Sequence, residues 1–263
     1  DGVFDPAGGA DSDLHGSHVC GIVGARPGEP GRYAGIAPGV ALYSARVFPP
    51  GAGANQMDIS DAIDTLSRDH EIDLINLSLG APVGSEIERD AIRDALERGT
   101  LCVCAAGNAA GPVGFPAAFP ETVAVAALGR EGWGPPGSLS ASRLPEDPAR
   151  FGAGNLYLAS FSDFGAEITC AAPGVGIVST VPSRGEGAPD NPYAALDGTS
   201  MASPLACGAL AARLADDGLY RDLPRDETRA AFARRALLES CRDIGLDATF
   251  QGRGVPTIAP PPT

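Results

Sequence analysis

Gly198-Thr199-Ser200-Met201-Ala202-Ser203-Pro204 sets a serine in a glycine-led turn just ahead of a long apolar run, Leu205 to Leu214. The start of a helix gathers unpaired N–H groups and the positive end of the dipole, so it favours an anion. A serine nucleophile needs that setting, because an oxyanion grows beside it during acyl transfer. Two other segments offer the remaining parts. His15-Gly16-Ser17-His18-Val19-Cys20-Gly21 places His15 at the start of a second apolar helix, where it can serve as a general base. Ala105-Ala106-Gly107-Asn108 places the Asn108 amide at the end of an apolar strand, where it can donate to an oxyanion. Singly, Ser200 reads as a helix cap and Asn108 as a turn residue. Together, a base, an amide donor and a nucleophile in the order His15, Asn108, Ser200 are three parts of an acyl-transfer site. His18 shares a helical face with His15, which raises a metal pair, but no third ligand is suggested. His70 follows Arg68-Asp69 at a helix end and reads as solvated.

The elements that must hold these residues alternate between short apolar runs and amphipathic stretches. Helices are expected at His15–Ala25, Asp58–His70 behind an Asp cap, Ser85–Arg98 ended by Gly99, about 200–215 and about 226–240. Strands are expected at Ala41–Phe48, Ile72–Leu77, Thr100–Ala106, Thr122–Ala127, Ile168–Ala172 and Val175–Val181. Near-continuous apolar strands separated by helices imply a parallel sheet covered on both faces, an α/β sandwich of three layers. Residues 129–157 are rich in Gly, Pro and Ser and form the longest irregular stretch, a mobile or recognition element. Residues 259–263 are a Pro-rich tail.

The 263 residues fit one large domain. The formal net charge is -14, from 33 acids against 19 bases, and every base is arginine. That balance argues against nucleic acid or an anionic membrane as partner, and no apolar run reaches the ~18 residues of a membrane span. Of the six cysteines, Cys102 and Cys104 alternate along a strand and share a face. Buried small thiols are the plain reading, and disulfides in an oxidising compartment the alternative.

The chain resembles the subtilisin-like serine proteases. Its His15 to Gly21 matches the family's His-Gly-Thr-His-Val-Ala-Gly, its Gly198 to Pro204 the Gly-Thr-Ser-Met-Ala-x-Pro, and its Asn76-Leu77-Ser78-Leu79-Gly80 the Asn-x-Ser-x-Gly of the substrate-binding strand. The resemblance implies a three-layer fold with a mainly parallel central sheet, and a serine endopeptidase working through an acyl-enzyme. Ser200 would be the nucleophile, His15 the base, Asn108 the oxyanion donor and His18 structural. Leu77, Ser78, Leu79 and Gly80 would pair with the substrate backbone. Leu79, Ala105, Ala106, Gly107 and the Gly114-Phe115-Pro116 turn would wall an apolar pocket suited to a large apolar residue before the scissile bond, with Gly51 to Asn55 a further edge of the cleft. The peptidase domain would span 1–258, with 129–157 an insertion relative to the family's usual hairpin.

Peptide or protein substrates and an upstream segment or propeptide of the same protein are the implied partners. No cofactor is required. Structural calcium is common in the family, but Arg26-Pro27-Gly28-Glu29-Pro30 offers one carboxylate where a hard cation wants about 6–8 oxygens. Secretion is the family's habit, while buried thiols lean towards the cytoplasm. The family's triad also has an aspartate on a strand well before the histidine. Only 14 residues precede His15. Asp1 and Asp5 loosely imitate the motif without an apolar strand ahead of them, and Asp11 and Asp13 match acids outside the triad. The expectation is an aspartate and first strand encoded upstream, with a catalytically impaired peptide-binding or scaffold relative as the alternative.

Overall fold

The computed structural model describes residues 14–28, 32–49, 51–182 and 192–258. Asp1, Asp5, Asp11, Asp13, Glu29, Pro30 and the tail 259–263 lie outside the described residues. The centre is a five-stranded sheet. Strands β1 (Leu74–Leu77), β2 (Leu101–Ala105), β3 (Val123–Arg130) and β5 (Ile168–Pro173) run parallel in that order, and β4 (Leu156–Leu158) is antiparallel to the last residues of β3. Strands buried on both faces alternate between two cores. Cys102, Cys104, Ala124 and Ala126 face α2 (Gln56–Asp69) and α3 (Glu86–Glu97) through Ile59, Ile63, Ile92 and Ala95. Leu101, Val103, Val123 and Val125 face α4 (Thr199–Ala215) and α6 (Glu227–Ser240) through Ala202, Ala206, Leu210 and Leu237. These helices on two faces make the expected three layers.

Helix α1 (His15–Gly24) packs on α4 and on the hairpin of β6 (Ile177–Thr180) and β7 (Tyr193–Leu196). Small residues permit the approach. A Cβ on Gly208 would lie 3.0 Å from the Ile36 Cβ and 3.5 Å from the Val23 Cα, and one on Gly21 would strike the Ser179 and Thr180 hydroxyls. Helices α5 (Gly218–Asp222) and α7 (Ala248–Gln251) and the hairpin of β8 (Cys241–Arg242) and β9 (Val255–Pro256) complete the described chain.

Two expectations change. Ala41–Phe48 forms no strand, and Leu42, Tyr43 and Phe48 are each almost half exposed. Alternation makes a segment fit for pairing, but a strand needs a neighbour, and none among the described residues lies beside it. Helix α2 is capped by Asn55, whose side chain accepts from the Asp58 N–H, so the chain enters the helix earlier than an Asp58 cap requires. The 129–157 stretch, expected as a mobile or recognition element, runs between the paired strands β3 and β4 with three short 3-10 turns. No disulfide joins the described cysteines; Cys102, Cys104, Cys170 and Cys207 are buried, and burial pushes the Cys102 and Cys207 thiols up to about 12. Such thiols are unreactive packing groups.

Candidate active site

Ser200 is the second residue of α4, behind Gly198 at φ 157°. Proline at 204 lacks the N–H that would bond the Ser200 carbonyl in a regular helix. The Ser78 hydroxyl takes that carbonyl instead, at 2.8 Å. Ser78 Oγ in turn accepts from Asn76 Nδ2 at 2.9 Å, and Asn76 Oδ1 accepts from Ser203 Oγ at 2.7 Å. The turn that carries Ser200 is thus tied to the end of β1 by a chain of side chains. Ser200 Oγ rests 3.4 Å from the Ser78 carbonyl.

Asn108 lies just beyond β2, in a loop built around Asp163. The Asp163 carboxylate is 4 % exposed, and its Oδ1 accepts from the N–H groups of Ala109 and Gly111 at 2.8 and 2.9 Å. Gly107 stands at φ 119° and its Cα faces this carboxylate, so no side chain fits there. Asn108 Oδ1 accepts from both the N–H and the hydroxyl of Thr199, at 2.9 and 3.0 Å. Two donors on one end of the amide fix its sense, with Nδ2 on the opposite side. A Cβ on Gly198 would sit 3.6 Å from the Ser200 nitrogen and 3.7 Å from Asn108 Nδ2. Both nitrogens therefore border one small space beside Gly198.

His15 opens α1 and is half-buried, behind Leu14 at φ 60°. Three residues on, His18 is fully buried with Nε2 3.0 Å from the carbonyls of Ile177 and Ala194, so it pins the β6–β7 hairpin to α1. Burial lowers its pKa, and Nδ1 has no partner. Among the described residues no three His, Cys, Asp or Glu side chains are grouped to hold a metal. His70 is exposed, with its ring 4.9 Å from that of Tyr43.

The predicted cleft residues form one strip. Beyond β1, Ala81 and Phe115 exchange two backbone bonds of 2.8 Å, and the Gly114 N–H reaches the Ala106 carbonyl at 2.9 Å. Ser78, Leu79, Gly80, Ala105, Ala106, Gly107 and Gly114 are thereby gathered along the ends of β1 and β2. The sequence reading missed the supporting roles of Asn76, Ser203, Thr199 and Asp163. The hydroxyls flanking Ser200 were the available signal.

Over residues 3–252 the chain matches the family described as the subtilase family, within peptidase group S8. It is 32% identical over 250 residues to subtilisin DY of Bacillus licheniformis, covering 93% of this chain and 76% of that protein. This chain belongs to the subtilase family. It is 31% identical to the major intracellular serine protease of Bacillus subtilis, over 93% of this chain and 68% of that one. To the halolysin-like extracellular serine protease Nep of Natrialba magadii it is 36% identical, over 95% of this chain and 39% of that protein. As a subtilase it is a serine-type endopeptidase, acting on peptide and protein substrates.

Proposed function

We propose that this subtilase cleaves peptide bonds with Ser200 as nucleophile, His15 as general base and Asn108 as oxyanion donor. One observation carries the reading: Thr199 occupies Asn108 Oδ1 twice, so Nδ2 and the Ser200 N–H border the same space. Preset donors need no reorganisation when the oxyanion forms. His15 accepts the Ser200 proton on attack and returns it to the leaving amine. The substrate backbone adds as a strand along Leu77–Gly80. Leu79, Ala105, Ala106, Gly107, Gly114 and Phe115 line the first pocket; no acid is among them, which favours a large apolar residue before the scissile bond.

The carboxylate that orients His15 is, on this reading, carried by a strand upstream of the described residues. Among the described residues no strand pairs with the irregular, half-exposed Ala41–Phe48 or with one side of β1, which leaves a place for such a strand. The experiment is labelling with a fluorophosphonate, comparing this chain, Ser200→Ala and a chain extended upstream. Labelling of the extended chain alone, lost in Ser200→Ala, supports both parts. Labelling of the short chain rejects the upstream acid, and no labelling of any form turns the reading to a peptide-binding relative.

A further inference from the structure

Between β3 and β4 the chain spends residues 131–155 where an antiparallel pair needs only about two to five. This excursion returns to the nucleophile. Asp197, three residues before Ser200, has a side chain only 5% exposed. Its Oδ1 accepts from Ser140 Oγ and from the Gly176 N–H, each at 2.7 Å. Its Oδ2 accepts from Arg143 Nε at 3.1 Å. Ser140 and Arg143 both belong to the excursion, and so does Trp133, whose Nε1 donates to the Gly176 carbonyl at 3.0 Å. Arg143 is held in turn: its guanidinium stacks 5.3 Å from the Phe161 ring, and its carbonyl accepts from the Ser160 N–H at 2.9 Å. On the other side the Gly198 N–H donates to Gly174 at 2.8 Å. The turn that presents Ser200 is thus clamped between the Gly174–Gly176 backbone and the excursion.

We propose that Arg143, acting through Asp197, is a positioning residue for Ser200, which makes the 131–155 excursion part of the endopeptidase apparatus. The inference rests on Ser200 being the nucleophile. The physical reason is twofold. A buried carboxylate so near a growing oxyanion opposes it unless neutralised, and Arg143 supplies the opposite charge. The same contact fixes the backbone whose N–H forms half of the oxyanion site, where a displacement of about 1 Å costs up to roughly a hundredfold in rate.

The test uses the chain form that turns over peptide, with Arg143→Met, Asp197→Asn, the double variant and Arg143→Lys. Arg143→Met is expected to lower kcat roughly ten- to a hundredfold with KM within about twofold. The double variant, which removes the stranded charge, is expected to recover most of the loss, and Arg143→Lys part of it. Amide hydrogen exchange across 196–201 is measured on the same proteins in parallel, and is expected to quicken in Arg143→Met and slow again in the double variant. An unchanged kcat in Arg143→Met, no recovery in the double variant, or wild-type exchange rates at 196–201 in Arg143→Met overturns the proposal. If neither this chain nor its upstream-extended form turns over peptide, the nucleophile reading fails, and the exchange arm still decides whether Arg143 holds this turn.

Discussion

The Asn108 side chain works at both of its ends. Its Oδ1 is held by Thr199, and that contact aims its Nδ2. With Asn108 as the proposed oxyanion donor, Asn108→Ala would remove a donor used only in the transition state: kcat is expected to fall by roughly 10²–10³, the size found on deleting such a donor in a subtilisin, with KM unchanged. Steady-state kinetics on a peptide substrate checks it, and a rise in KM alone would contradict the role. His18 obeys a different rule. It is buried neutral, with its pKa below the ordinary 6.5 because desolvation penalises the cation. The unfolded chain binds that proton more readily, so the stability held above about pH 6.5 is lost as pH falls towards the lowered native value. Urea midpoints from pH 8 to pH 5 should fall, and His18→Gln should flatten the part of that slope below about pH 6.5.

At the scale of elements, the sequence displayed what is local. A glycine turn followed by an apolar run announced α4, and the apolar residues that follow His15 announced α1. Supports that join distant segments were hidden: Asn76 to Ser203, or Arg143 to Asp197, are decided by how strands stack and not by neighbours in the chain. Ala41–Phe48 shows the converse, since its alternation records a fitness for pairing that only an adjacent strand can realise. Helix α3 hides an oddity of its own. Glu88, one turn in, is 5% exposed with Oε1 unpartnered, and burial raises its pKa. The native state holds that proton more tightly than the unfolded one, so ionisation removes stability as pH rises above the ordinary carboxylate value, up to the raised one. Glu88→Gln is expected to stabilise by roughly 1–2 kcal/mol at neutral pH, with the gain shrinking towards pH 4. A denaturant series at the two pH values measures it, and an equal gain at both would sink the explanation.

Across the whole molecule, arginines gather separate elements at shared acceptors. Arg229 donates to Asp73 just before β1 and to the carbonyls of Tyr220 and Leu223, with its guanidinium 4.1 Å from the Tyr220 ring. It thereby joins α5, α6 and the sheet at one point. Arg229→Met would remove the side-chain donor to the Leu223 carbonyl, one of two donors to the Tyr220 carbonyl and the ion pair to Asp73, and a loss of about 2–3 kcal/mol is expected by thermal or urea unfolding; Arg229→Lys should recover little, because an ammonium cannot span these acceptors. The sheet these arginines brace is left unpaired along one side of β1, where the backbone of Leu74–Leu77 has no strand partner among the described residues. The proposed upstream strand would fill that row of amides and carbonyls; in a chain without it, the row is a template for a second molecule. In that form the repulsion of a surface with 33 acids against 19 bases is what opposes the pairing of two copies. Colloidal behaviour then depends on the buffer: acid that protonates the carboxylates, or salt that shortens their reach, removes the barrier and lets edge meet edge.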